Sequence, residues 1–383
     1  MAFLFDGRQA RRAFVLSLGA ATLTLSACQT GGPVRPVGPV GPGPDGSIPE
    51  TQRHQVALVI ALSGPDGLVG TSIANAANLA ILDTGVPNVR LTVYDSSKIG
   101  AAAAAQQALG AGAELILGPL LAEDVRAVAP IARRAGVPVV AFSNDTSVAG
   151  NGVYIMGVTP GAAIDRVVRY GRAKGMTRFG GLVPTGLYGQ RAAQAMLGSV
   201  RATKGQMVGL ENFNRTAAAG RAAAAALNRR GDYDAVLLAD SGGMVSALAP
   251  AVEVGPTLLG TELWANDKTL GKVPRLRGAL YAAAPDARFD QLVNRYRARY
   301  GKTPYRIGSL GYDAVLLTAR AAKQWPLGRP FPLKVLSDRD GFAGVDGIFR
   351  FGRDGVIERA LEVRQVTATG TVVVSPSAGS FGK

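Results

Sequence analysis

From residue 55 onward, short unbroken apolar runs alternate with longer segments of helical period. Val56-Ala57-Leu58-Val59-Ile60-Ala61 is apolar at every position, as a strand buried on both faces of a parallel sheet requires. Further strands are expected at 90–94, 114–117 and 137–142, separated by helices ending at Leu82, over the Ala-rich stretch 100–110, and over 123–134. The pattern then restarts with strands at 178–183, 207–211, 235–239, 257–260 and 279–283 and helices at 160–175, 188–203, 217–230 and 244–253. Helices over 288–300 and 307–324 follow, then a hairpin formed by 347–351 and 356–366 around the turn at 352–355. Strands alternating with helices in this way predict an α/β fold of two Rossmann-like lobes, each with a parallel central sheet, joined by a hinge. The expected division is 55–158 plus 281–340 for one lobe, 159–280 plus 341–370 for the other, and a tail at 371–383.

A chain of 383 residues with one His and one Cys excludes much chemistry. It cannot form an internal disulfide or a Cys/His zinc site, and a His-dependent nucleophile would have to use His54. The expectation is no catalytic residue, no metal ligand set and no cofactor. Gly64-Pro65-Asp66-Gly67-Leu68-Val69-Gly70-Thr71 is glycine-rich after a strand, but it lacks the P-loop lysine and the dinucleotide-binding spacing. Asp338, Asp340 and Gly341 lack the distal Glu of a calcium loop and read as a turn.

The N-terminus has the layout of an export signal. Arg8, Arg11 and Arg12 precede an apolar run from Ala13 to Leu25 that is too short to span a bilayer. Leu25-Ser26-Ala27-Cys28 resembles the bacterial lipobox, which implies a signal peptide over 1–27 and lipidation of Cys28; the alternative is an ordinary cleaved signal with a chance cysteine. Gln29 rather than Asp after that cysteine implies the outer membrane, with the chain on its periplasmic face. Residues 28–54 then read as a tether, with Pro33, Pro36, Pro39, Pro42, Pro44 and Pro49 set among Gly and Val. The chain carries a net charge of +15, and removing 1–27 takes away three basic residues and one acidic, leaving +13. That balance favours anionic partners. With 6% aromatics and no long Lys/Arg run, nucleic acid is not among those expected.

In doubly wound sheets, ligands sit beyond the carboxyl ends of the strands. The candidates there are Ser63 and Gly64, Leu120, Ser143-Asn144-Asp145, Asp240 and Glu262, with Tyr188 opening a second-lobe helix. The alternatives are turn capping for the serines and lobe packing for Tyr188.

At these residues the chain resembles a family. Val56–Gly64 with Val69-Gly70, the segments 112–120 and 136–144, Tyr188-Gly189, Gly260-Thr261-Glu262 and Gly311-Tyr312-Asp313-Ala314 resemble the type I periplasmic binding proteins of the leucine/isoleucine/valine group. Gly-Pro-Leu-Leu-Ala-Glu-Asp-Val (118–125) and the segment 141–150 are most similar to its lipoprotein branch of penicillin-binding-protein activators. The resemblance implies a carboxylate site after the third and fourth strands, here Leu120 or Leu121 and Ser143 with Asp145, and an ammonium-binding acid, here Glu262. Leu120 and Leu121 offer no hydrogen bond, and Asp145 would repel a carboxylate. The implied role is therefore contact with a bifunctional peptidoglycan synthase. A transport receptor for an amino acid or another small polar solute is the alternative, and a wall hydrolase the weakest of the three. Ser143 and Glu262 are expected to border one shared crevice.

Overall fold

The computed structural model of the chain describes residues 52–381. The expected signal peptide, the expected lipidation site at Cys28 and the expected tether as far as Thr51 lie outside the described residues.

The first lobe is built on a five-stranded sheet, all parallel, in the order β2-β1-β3-β4-β5. Its strands are β1 (His54–Ile60), β2 (Val89–Asp95), β3 (Leu115–Leu117), β4 (Val139–Ala141) and β5 (Val153–Ile155). The connecting helices are α1 (Gly67–Thr84), α2 (Ser96–Ile99), α3 (Ala101–Gly110) and α4 (Ala122–Arg134). The second lobe adds α5 (Pro160–Ala173), β6 (Arg178–Pro184), α6 (Leu187–Ala202), β7 (Gln206–Phe213), α7 (Ala217–Asn228), β8 (Ala235–Leu238), α8 (Gly242–Leu248), β9 (Thr257–Gly260) and β10 (Leu280–Ala283). The chain then forms α9 (Ala287–Tyr300) and α10 (Ser309–Ala322), which pack on α1. It ends with β11 (Phe342–Gly344), β12 (Gly347–Phe351), β13 (Ile357–Arg359), β14 (Glu362–Val366) and β15 (Thr371–Ser375). The second sheet has seven strands in the order β15-β14-β10-β9-β8-β6-β7, with β14 and β15 antiparallel to their neighbours. A small antiparallel sheet β11-β12-β13 completes the architecture.

The apolar runs are continuous because each strand feeds two cores. Val56, Leu58 and Ile60 point into the cluster shared with α1, α9 and α10. Ala57 and Val59, displaced by one residue, point into the cluster under α3 and α4. In β8, Val236 and Leu238 face one core and Ala235 and Leu237 the other. Each fully buried Leu, Ile or Val contributes on the order of 1.5–3 kcal/mol relative to an exposed one.

Glycine sets how closely the first helix of each lobe approaches its sheet. A Cβ at Gly70 in α1 would fall 1.8 Å from the Ala61 carbonyl oxygen, and one at Gly189 in α6 would fall 1.5 Å from that of Pro184. Both helices therefore begin directly on the carboxyl end of the preceding strand.

Among the described residues the chain passes between the lobes three times, at 156–159, 284–286 and 360–361. This corrects the expected division. Tyr281 to Ala283 stay in the second sheet, paired with β9 and β14, so the return to the first lobe comes after residue 283. Phe342, Phe349, Phe351 and Ile357 pack into the first-lobe core, so the second lobe regains the chain only at β14. The run 356–366 is two strands in different sheets, broken at Ala360-Leu361 where the chain crosses over. Residues 371–375, expected as tail, form an edge strand. His54, expected at the end of the tether, opens β1 instead and is fully buried. Its ring stacks on Trp325 at 3.8 Å and contacts Glu114 Oε2 at 3.1 Å and the Trp325 carbonyl at 2.8 Å. That is a packing role.

Candidate functional site

A cleft of about 400 Å³ lies between the lobes, at the carboxyl ends of their strands. The first lobe contributes Leu120 and Leu121 after β3 and Phe142 and Asn144 after β4. The second contributes Tyr188 from the first turn of α6 and Glu262 and Leu263 after β9. Val158, Ala283, Ala284 and Leu361 line it from the crossovers, and Arg306, Ile307, Ser309, Leu310, Asp346 and Arg359 from the segments beside them. Most of this wall is hydrocarbon.

Of the residues singled out from sequence, Leu120, Asn144, Tyr188 and Glu262 line the cleft. Ser63, Gly64, Ser143, Asp145 and Asp240 do not. Ser63 is exposed, with its hydroxyl 2.7 Å from that of Ser97, and Gly64 is exposed beside it. Ser143 is buried and accepts a hydrogen bond from the Asp145 amide at 3.1 Å. The expected crevice shared by Ser143 and Glu262 is thus bordered by the next residue, Asn144, because Ser143 turns inward to fix the loop. Asp240 is buried and accepts from Arg215 Nε at 3.0 Å.

Glu262 is held at the start of a short 3-10 turn, Glu262–Asn266. The Tyr188 hydroxyl donates to Glu262 Oε1 at 3.2 Å and lies 2.9 Å from Thr261 Oγ1, whose own hydroxyl can donate to it. The second carboxylate oxygen, Oε2, is covered and has no hydrogen-bond partner among the described residues. Burial pushes the Glu262 carboxyl up to about 7, so near neutral pH it exchanges between acid and carboxylate. Burial, and after it the Glu262 charge, pushes the Tyr188 phenol upward, and it stays protonated as a donor.

Asp145 has a different environment. Its carboxylate accepts from the amide and hydroxyl of Ser147, from Arg126 of α4 at 2.9 Å, and from Arg191 of α6. Burial alone would raise its pKa, but the Ser147 hydrogen bonds and the two guanidiniums hold it below the ordinary carboxylate range. Arg191 also donates to the Asn144 carbonyl at 3.3 Å. Asp145 belongs to the first lobe and Arg191 to the second, so this ion pair joins the lobes directly. Neither arginine stands out in a chain with 42 basic residues.

A second charged network lies along the crossovers. Asp286 accepts from Arg306 and Arg364, each at 2.6 Å. Asp346 accepts from Arg306 at 2.8 Å and from the Ser309 hydroxyl at 2.5 Å. Asp313 accepts from Arg359 Nη1 at 3.1 Å and from the Val345 amide at 2.6 Å. Asp313 carries no sequence signal beyond its place in Gly311-Tyr312-Asp313-Ala314, where it reads as capping or packing its helix. Among the described residues no cluster of three or more His, Cys, Asp or Glu could hold a metal ion, and no helix is long and apolar enough to cross a membrane.

Two sheets on either side of a hinge, with a cleft at the strand ends, define a two-lobed clamshell, and residues 54–371 match the model of the periplasmic binding protein family. The chain belongs to that family. Among solved structures it is similar to the C-domain of LpoA from Haemophilus influenzae, described as a regulator of PBP1A, with a TM-score of 0.66 at 17% identity over 84% of this chain and 99% of that one. It is equally similar to a branched-chain amino acid ABC transporter periplasmic ligand-binding protein from Burkholderia xenovorans, with a TM-score of 0.66 at 17% identity over 84% and 95%. A solute binding protein from Rhodopseudomonas palustris, in complex with 3,4-dihydroxybenzoic acid, aligns with a TM-score of 0.63 at 17% identity over 87% and 98%. At these identities the likeness establishes the fold. A curated relative, an uncharacterized protein of Rickettsia prowazekii, is 24% identical over 148 residues, and the match spans 38% of this chain and 40% of that protein.

Proposed function

We propose that this chain is a non-catalytic, lipid-anchored regulator on the periplasmic face of the outer membrane, acting on a bifunctional peptidoglycan synthase through protein contact. The observation that carries this reading is the Asp145–Arg191 ion pair, reinforced by Arg126. In a transport receptor the ligand draws the lobes together. Here the chain supplies that contact itself, at the position where the resemblance expects a ligand carboxylate. Leu120 and Leu121 supply no replacement donor. The likeness to a domain described as a regulator of PBP1A supports the same reading. The test is glycan polymerisation by a purified bifunctional synthase with and without the full-length protein. Stimulation that saturates with added protein is expected; an unchanged rate, with no complex on pull-down, overturns the proposal. Cys28→Ser is expected to move the protein from the outer-membrane to the soluble periplasmic fraction.

A second reading, a receptor for a small polar solute such as an amino acid, is favoured by the cleft itself and by the free oxygen of Glu262 within it. Calorimetry with free amino acids tests it, and micromolar binding accompanied by compaction in solution scattering would support it.

A further inference from the structure

The loop 323–334, Lys-Gln-Trp-Pro-Leu-Gly-Arg-Pro-Phe-Pro-Leu-Lys, follows α10 and sends its large side chains two ways. Trp325 and Phe331 are buried and pack edge to face, their ring centroids 5.0 Å apart. The Trp325 indole donates to the Arg329 carbonyl at 2.7 Å. That bond braces a turn in which the Arg329 amide donates to the Pro326 carbonyl at 3.2 Å and Gly328 takes φ +70°. Leu327 stands at the apex of the turn, 49% exposed, and Leu333 is 48% exposed where a short 3-10 turn begins. Lys323, Arg329 and Lys334 are exposed in the same loop and make no ion pair among the described residues. No acid occurs between Asp313 and Asp338, and Asp338 is taken by Arg320. The loop also sits where the chain enters the fold. His54, the first residue of β1, stacks on Trp325, and Asn88 donates to the Ala322 carbonyl at 3.3 Å.

We propose that the loop 323–334 is a membrane-docking surface, and that its occupant is an anionic phospholipid bilayer. Two leucines held out in water among three cations, with no acid between them, suit a bilayer interface. Hydrocarbon enters at the headgroup boundary while the Lys and Arg stems lie along it and their charges meet phosphates. Position favours a bilayer over a soluble anion. The chain that leads back to Cys28 leaves the body beside this loop, so acyl chains on that residue and the loop would act at one end of the molecule as the two signals of a stable membrane contact. The proposal rests on the lipid-anchored reading and deepens it by giving the body an orientation. β1 runs from this pole toward the cleft, so docking places the first lobe between the bilayer and the cleft.

The test is co-sedimentation of the processed chain, residues 28–383 carrying Cys28→Ser, with vesicles of phosphatidylglycerol and phosphatidylethanolamine. Omitting 1–27 removes an apolar run that would itself bind lipid, and Cys28→Ser removes the acyl chains. Binding is expected, weakening as salt is raised, with none to vesicles of phosphatidylcholine alone. Replacing Lys323, Arg329 and Lys334 together by Gln is expected to weaken binding on the order of a hundredfold. Leu327→Ser with Leu333→Ser is expected to weaken it on the order of tenfold and leave the salt dependence in place. With its one cysteine replaced, the chain accepts a fluorophore at a single chosen site. A label on Leu327→Cys is expected to shift to the blue on vesicles and to be quenched by nitroxide-labelled lipid. A label on Val254→Cys, 86% exposed in the second lobe, is expected to do neither. No vesicle binding, a folded triple variant that binds like the parent, or an equal response at 254 and 327 overturns the proposal. Binding lost in the triple variant while the label at 327 stays in water assigns the loop to an anionic polymer or protein, and also overturns it. Because no acyl chain is present in these experiments, their failure leaves lipidation of Cys28 standing, and fractionation of the native protein tests that separately.

Discussion

Glu262 and Asp145 are both acids at strand ends, and their surroundings send them in opposite directions. Glu262 is largely buried, receives Tyr188 and its own backbone amide, and is still pushed up by burial to about 7. A carboxyl raised in the folded state binds more protons there than in the unfolded chain between the unfolded value, near 4.5, and about 7. Its contribution therefore falls as pH rises through that window, by up to about 3 kcal/mol. Glu262→Gln keeps the acceptor for Tyr188 and removes the titration. Urea denaturation is expected to show the variant less stable than or equal to the parent at pH 5, and more stable by about 2–3 kcal/mol at pH 8. An unchanged difference between the two pH values would show that the carboxyl is solvated. Asp145 is lowered, so its contribution is present above the unfolded carboxylate value and is lost only as pH falls below it. Both acids are marked in the sequence by their place after a strand, but their partners are not. Arg191 and Arg359 lie 46 residues along the chain from Asp145 and Asp313 respectively, and nothing in their local spacing, or in that of Arg126, sets them apart.

Most strands and helices are legible in the sequence for a reason visible at the level of elements. A strand buried on both faces, such as β1 or β8, leaves an unbroken apolar run, and the Ala-rich helices carry their own propensity. The strands that leave no such trace, β5, β11 and β15, are three to five residues long, and β15 is an exposed edge carrying Val372 and Val373. Pieces so short carry no period that separates them from loop. The split at Ala360-Leu361 is hidden because both strands flanking it are buried and the crossover takes only two residues. Tyr188-Gly189 is a weak marker by itself, and packing supplies its meaning: only a residue without a Cβ lets α6 begin against the Pro184 carbonyl and carry Tyr188 to Thr261. Gly189→Ala is expected to destabilise by about 1–3 kcal/mol. Gly198, exposed in the same helix with open space where a Cβ would stand, gives the contrast. Gly198→Ala is expected to stabilise by about 0.5–1 kcal/mol. Equilibrium denaturation of the two variants side by side checks the pair, and a loss at Gly198 equal to that at Gly189 would refute the close-approach argument.

Across the whole molecule, two lobes joined by three short crossovers would be free to open were it not for the contacts between them. Away from the crossovers, Asp145 binds guanidiniums from both lobes at once, Arg126 from the first and Arg191 from the second. Asp145→Asn leaves two cations facing a neutral amide and is expected to cost about 1–3 kcal/mol. It is also expected to enlarge the radius of gyration in solution scattering, and Arg191→Met is expected to do the same. A radius unchanged in both variants would mean that the crossover network around Asp286 and Asp346 sets the closure alone. That the two sheets share a hinge is legible from the restart of the strand–helix pattern. The positions of the crossovers are not, because Tyr281 stays in the second sheet and Phe342 in the first-lobe core, the reverse of the expected division, and only long-range packing shows it.

β1 begins at His54 and runs through the interior of the first sheet, flanked by β2 and β3 and pinned at its first residue by Trp325 and Glu114. A pull applied to the amino-terminal side of His54 therefore acts along that strand. It strains the ladders on both flanks together in shear and cannot peel them apart one rung at a time. A body suspended from this end would bear tension through an enclosed strand, and mechanical failure would demand the simultaneous rupture of both ladders that hold it, to β2 and to β3.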